Sequence, residues 1–168
     1  MSDPVVLIVM GSDSDLPTME ETAAIFTQFG VPFEMRISSA HRSPKRTAQL
    51  AHDAAGRGIQ LIIAAAGMAA HLAGVIAAET MLPVIGVPMG GGPLSGMDAL
   101  YATVQMPGGI PVATMAIGKA GAKNAGLFAV QILSLADPAL RARFAAYRAQ
   151  MAVEVEQKDA ALQSSLMP

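Results

Sequence analysis

The sequence predicts a doubly wound α/β fold: a parallel sheet with helices on both faces, followed by one long C-terminal helix. Short runs rich in Val, Ile and Ala alternate with helical stretches, mostly apolar on both faces as in buried parallel strands. Several helical stretches also open on a capping residue next to a proline. The first strand spans residues 5–10 and stops at Gly11. A helix follows over 17–29, capped by Ser14 or Asp15 and entered through Pro17. The second strand, 33–38, leads through Ser43-Pro44 into a helix over 44–55. The third, 60–66, leads into a helix over 69–81. The fourth strand is 84–87 with a helix over 97–105, and the fifth is 112–117 with a helix over 119–135. Asp137-Pro138 then starts a helical pattern to about 162, with Leu140, Phe144, Tyr147, Met151 and Val155 at spacings of three and four. That stripe needs a covering surface, either its own domain or, as we expect, a neighbouring subunit.

With 168 residues and 52% hydrophobic content, a single domain with core 5–135 is expected. The net charge of −2 and scattered basic residues give no footprint for nucleic acid. The chain has no cysteine, so disulfides, thiolate nucleophiles and cysteine zinc sites are excluded, and no His, Asp or Glu grouping has metal-ligand spacing. The N-terminal stretch reads as neither signal peptide nor membrane anchor, which makes the cytoplasm the expected location. A mean hydropathy of +0.44 is high for a soluble domain and points to a homo-oligomer.

Ligands of doubly wound sheets bind beyond the carboxyl ends of the strands, which selects the loops to read. After the first strand, Gly11, Ser12, Asp13, Ser14 and Asp15 suit a phosphate or ribose at a helix N-terminus, or serve as turn formers and caps. GxGxxG and GxxxxGK[ST] are both absent, which argues against dinucleotide and nucleoside-triphosphate sites. After the second strand, Ser39-Ala40-His41-Arg42 pairs a proton-exchanging imidazole with a guanidinium able to grip an anion. After the third, Ala66-Gly67-Met68-Ala69-Ala70-His71 either lets a flat ligand approach backbone amides or serves close helix packing, with His71 interior. After the fourth, Gly90 to Gly92 is a mobile lid or a crowded backbone. His52 lies mid-helix and reads as surface.

Taken in order, Gly11-Ser12-Asp13-Ser14-Asp15, Ser39-Ala40-His41-Arg42, Ala69-Ala70-His71-Leu72, Leu94-Ser95-Gly96-Met97-Asp98, Val104-Gln105-Met106-Pro107 and Ala116-Ile117-Gly118-Lys119-Ala120-Gly121 resemble class I 5-(carboxyamino)imidazole ribonucleotide mutase, the catalytic PurE family of purine biosynthesis. The resemblance runs from about residue 5 to 135. It implies a flavodoxin-like three-layer αβα sandwich assembled as a homo-octamer, with active sites where subunits meet. It implies an isomerase that moves a carboxylate from the exocyclic nitrogen to ring C4 by decarboxylation and recarboxylation, without metal or organic cofactor. The alternative activity is an aminoimidazole ribonucleotide carboxylase using free CO2. A transient contact with the ATP-dependent synthetase that makes the unstable substrate also follows from the resemblance.

Carried over by motif, His41 is the general acid/base. Gly11, Ser12, Ser14 and Asp15 bind the ribose phosphate portion, Arg42 holds the phosphate, and Ser39 and Ala40 line the site. Ala66, Gly67, Ala70, His71 and Leu72 shape the CO2 and carboxylate pocket. Two departures stand out: Met68 occupies a usual family glycine, where a methionine is expected to point into the core, and Pro88-Met89-Gly90-Gly91 replaces a common Pro-Val-Gln-Ser loop.

Overall fold

The computed structural model describes residues 3–166. Five strands, β1 (Val6–Met10), β2 (Phe33–Ile37), β3 (Leu61–Ala66), β4 (Val84–Pro88) and β5 (Ala113–Thr114), form one parallel sheet in the order β2-β1-β3-β4-β5. Between them run α1 (Leu16–Phe29), α2 (Pro44–Ala54), α3 (Leu72–Glu79) and α4 (Met97–Val104), with α5 (Lys119–Leu133) and α6 (Pro138–Leu166) after β5. The predicted doubly wound, flavodoxin-like order is therefore present. The chain passes from β1 out to β2, then crosses back to β3 on the other side of β1. Strand order reverses there, which is where such sheets open a crevice.

Register makes the strand ends flush. Met10 lies opposite both Ile37 and Ala65, and Ala66 opposite Pro88. The ladder runs one residue past each end, through Gly11 N–H to Ala65 O (2.9 Å), Ser38 N–H to Met10 O (2.9 Å) and Met89 N–H to Ala66 O (2.9 Å). Five loops consequently leave the sheet along one edge.

Chain folding divides into two compact units, one up to Ala129 and one from Val130 onward. In the first, alternate strand residues split between the faces of the sheet. Leu7, Val9, Ile62, Ala64 and Val84 meet Ala51 and Ala54 of α2 and Leu72, Ala73 and Ile76 of α3 in a buried cluster. Right-handed crossovers put α1 on the opposite face. There it packs on α5 closely enough that a Cβ at Gly126 would stand 3.0 Å from Ile25 Cβ. The buried Thr22 hydroxyl donates to Ala122 O at 2.6 Å between the same helices. In the second unit, the Asp137 carboxylate accepts from the N–H groups of Ala139 and Leu140, both at 2.9 Å, the cap that Asp137-Pro138 predicted.

Several expected boundaries shift. β2 is half-exposed rather than buried on both faces, because it is an edge strand. Its Glu34 lies against Arg57 (2.6 Å) and Arg36 (3.5 Å). Burial alone would raise that carboxyl, but the two guanidinium groups hold it below the ordinary glutamate value. β5 keeps two strand residues of the six expected, yet Met115 N–H still reaches Gly86 O at 2.9 Å. α3 starts at Leu72 rather than 69, since Met68 adopts φ +54° and Ala70 and His71 bond back only two residues, to Met68 O and Ala69 O. α6 runs to Leu166, with no proline or glycine after Pro138 to stop it before the described residues end. The cap expected at Ser14 or Asp15 belongs instead to Ser12.

Candidate active site

The three strands at the reversal present three loops, and the sequence of each decides its shape. After β1, Ser12 opens a short 3-10 turn ahead of α1. Its hydroxyl accepts from Ser14 N–H (3.3 Å), while its own N–H donates to Asp15 Oδ2 (3.1 Å), a reciprocal capping box. Asp15 is 9% exposed. Burial pushes its carboxyl above the ordinary aspartate value, and nearby Asp13 adds to the rise against the lowering bond from Ser12 N–H. The capping reading of this loop is thus met in the 3-10 turn ahead of α1.

After β2, the chain turns on serines. Ser43 N–H donates to Ser39 O (2.8 Å), Ser39 N–H to Ser43 Oγ (3.1 Å) and Arg42 N–H to Ser39 Oγ (3.2 Å). Beneath them Ser38 Oγ and Thr47 Oγ1 share a buried bond of 2.8 Å. This tight turn projects His41 and Arg42 outward. Arg42 reaches across to the first loop, where one Nη2 N–H donates to Gly11 O at 3.1 Å. Among the described residues its other guanidinium donors have no protein acceptor. His41 Nε2 lies 2.9 Å from Nδ1 of His71, at the mouth of the third loop, with the rings edge to face.

The loops enclose a cleft of about 920 Å3, inside the roughly 300–1,000 Å3 of small-molecule sites. It is lined by Gly11, Ser12, Ser14, Asp15, Ser39, Ala40, His41, Arg42, Ala66, Gly67 and Leu72, all selected from the sequence. Two selected residues stand off the lining. Ala70 is 1% exposed beneath the turn, and His71 is exposed beside the cleft rather than interior. Met68 is 58% exposed and lines the wall; its left-handed backbone turns the side chain out of the core where it was expected. Gly90, Gly91 and Gly92 complete that wall.

Thr18, Ala69, Met89 and Lys119 also line the cleft without having been selected. The signal for Lys119 was present: it opens α5 just past the fifth strand, on the edge that the strand-end rule picks out. It stands 3.8 Å from Glu21 in an exposed ion pair. No group of three His, Cys, Asp or Glu able to hold a metal occurs among the described residues, and no helix there is long and apolar enough to cross a membrane.

Comparison with known proteins agrees with this geometry. The family model described as AIR carboxylase matches residues 5–154, all five strands and the whole cleft. The chain belongs to the AIR carboxylase family. Within that family it is 53% identical over 160 residues to N5-carboxyaminoimidazole ribonucleotide mutase of Mycobacterium tuberculosis (strain ATCC 25618 / H37Rv), covering 95% of this chain and 91% of that one. It is 54% identical over 160 residues to the Synechocystis sp. (strain ATCC 27184 / PCC 6803 / Kazusa) protein of the same name, covering 95% and 90%. The crystal structure of Treponema denticola PurE superposes with a TM-score of 0.86 at 29% identity, covering 95% of this chain and 98% of that one.

Proposed function

We propose that this protein is an N5-carboxyaminoimidazole ribonucleotide mutase, an isomerase of purine biosynthesis. The observation that carries the reading is the cleft: one imidazole and one guanidinium beside a capped helix N-terminus, facing a wall of Ala66, Gly67 and Ala69. Relatives of that name at 53–54% identity over nine-tenths of both chains support it.

Arg42 and the N–H groups of the Ser12–Asp15 turn take the substrate phosphate, while Ser12 and Asp15 also face the ribose hydroxyls. His41 in its imidazolium form gives a proton to the exocyclic nitrogen as its bond to the carboxylate carbon breaks, releasing CO2 and the free amine. The small-residue wall keeps CO2 beside the ring. C4 attacks it, and the now neutral His41 takes the C4 proton, restoring the aromatic ring and its own starting state. Ala70, His71 and Leu72 support the CO2 end of the cleft.

We assign the protein to the cytoplasm as a homo-octamer that meets the ATP-dependent synthetase transiently. The exposed apolar residues of α6 support assembly, including Met151 at 45% and Val155 at 65% exposure. The decisive test supplies the carboxyamino ribonucleotide without bicarbonate and follows formation of the 4-carboxylate. Rapid conversion is expected, and His41→Asn should lower kcat by at least about 10²-fold with assembly intact. Product formed only from aminoimidazole ribonucleotide and high bicarbonate would establish the carboxylase instead. Activity near wild type in His41→Asn would remove that residue from the role.

A further inference from the structure

The 2.9 Å contact between His41 Nε2 and His71 Nδ1 joins two rings thirty residues apart in the chain, and it constrains their protons. A hydrogen bond between two imidazole nitrogens needs one N–H and one lone pair, so one of the two polarities holds. If His71 donated, His41 would have to keep a bare Nε2, and the bond would fail whenever His41 became an imidazolium. If His41 donates, the bond survives in both states: neutral His41 carries its proton on Nε2, and imidazolium His41 adds a second on Nδ1.

The surroundings favour that second polarity. His71 is the residue from which α3 starts, and Nδ1 is the ring nitrogen that it turns to His41. A neutral His71 has a lone pair to offer at Nδ1. The His71 side chain also caps nothing and is exposed, so the bond to His41 is its one side-chain hydrogen bond among the described residues. His41 Nδ1 in turn has no protein partner among the described residues.

We infer that His71 is the positioning residue for His41: its Nδ1 accepts from His41 Nε2, fixes the tautomer, and leaves Nδ1 of His41 as the atom that gives and takes the substrate proton. This deepens the mutase reading and rests on it for the kinetic arm only. In each turnover the imidazolium loses its Nδ1 proton to the exocyclic nitrogen and regains one from C4, while the Nε2 proton stays in the bond to His71. The ring therefore needs no flip between its two duties.

The chain has three histidines, so ring 15N resonances of the labelled full-length protein can be assigned with single-histidine variants. At a pH where the ring is neutral, His41 should show a protonated Nε2 and bare Nδ1, and His71 a bare, hydrogen-bonded Nδ1. His71→Ala should leave His41 averaging between tautomers and lower kcat by roughly tenfold or more with KM changed less than about twofold. His71→Asn, whose amide sits where Nδ1 was, should restore the single tautomer and most of kcat; His71→Gln should not. A neutral His41 that carries its proton on Nδ1, or the same neutral His41 tautomer in wild type and His71→Ala, would overturn the inference. So would an unchanged kcat in His71→Ala. The resonances are read without substrate, so a failed mutase assay with the expected tautomers would sink the proposed reaction and leave the pairing standing.

Discussion

Burial is the largest influence on Asp15 and opposes its charge, and Asp13 lies near. Its folded-state affinity for a proton exceeds that of the unfolded chain. The contribution of Asp15 to stability is therefore greatest below the ordinary aspartate value, and it falls as pH rises through the raised folded value. Asparagine keeps the oxygen that accepts from Ser12 N–H and removes the charge. Asp15→Asn should raise Tm by about 1–3 °C at pH 7, a gain that shrinks toward pH 4, while weakening substrate binding; a melt at both pH values with a titration of product checks it. At this scale the sequence showed much: a histidine beside an arginine at a strand's carboxyl end, and a Ser-Asp loop ahead of a helix, were enough to select the residues that converge. The His41–His71 bond was out of reach, because nothing local marks a contact that forms only when the loops after β2 and β3 meet.

Turns and packing decide the elements. Met68 sits at φ +54°, a region that costs a residue with a Cβ about 1–2 kcal/mol, against about 0.4–1 kcal/mol of extra unfolded-state entropy for glycine. Its side chain is mostly exposed, so little burial is lost with it. Met68→Gly should therefore leave Tm unchanged or raise it by up to about 3 °C, and a fall of more than about 2 °C would show that the side chain holds the turn. The same backbone explains why α3 was expected three residues early: Ala69-Ala70 is strong helix-forming sequence, but the left-handed residue before it and the two-residue bonds that follow keep it out of the helix. β5 was overestimated for a different reason. Residues 112–117 have strand composition, but the run sits at the sheet edge with β4 as its one strand partner among the described residues. Neither effect leaves a mark in apolar periodicity, whereas alternating strand and helix runs do, and those set the element order correctly.

For the whole molecule, the question is what covers the apolar residues at the C-terminal end. α6 exposes Met151, Val153, Val155, Leu162 and Leu166 to between 42% and 68%, on more than one side of the helix. Met151 and Val155 belong to the stripe that runs from Leu140 to Val155, whereas Val153, Leu162 and Leu166 lie outside it, so the sequence pattern understated the exposed surface. A 29-residue helix with this much apolar surface would invite non-specific association if left in water. A second copy of the chain offers a repeated surface of the same kind, which closed symmetry can satisfy. Every residue lining the cleft lies between Gly11 and Lys119, so the site is encoded apart from this helix. Ending the chain at Asp137 should therefore give a protein whose far-ultraviolet spectrum keeps the α/β signature but which sediments as a smaller species than the full chain. It should also melt at a lower temperature, since assembly adds to the stability of each copy. Sedimentation of full-length and shortened protein at matched concentration decides it: the same oligomer in both would assign assembly to surfaces before Asp137 and leave α6 without that role.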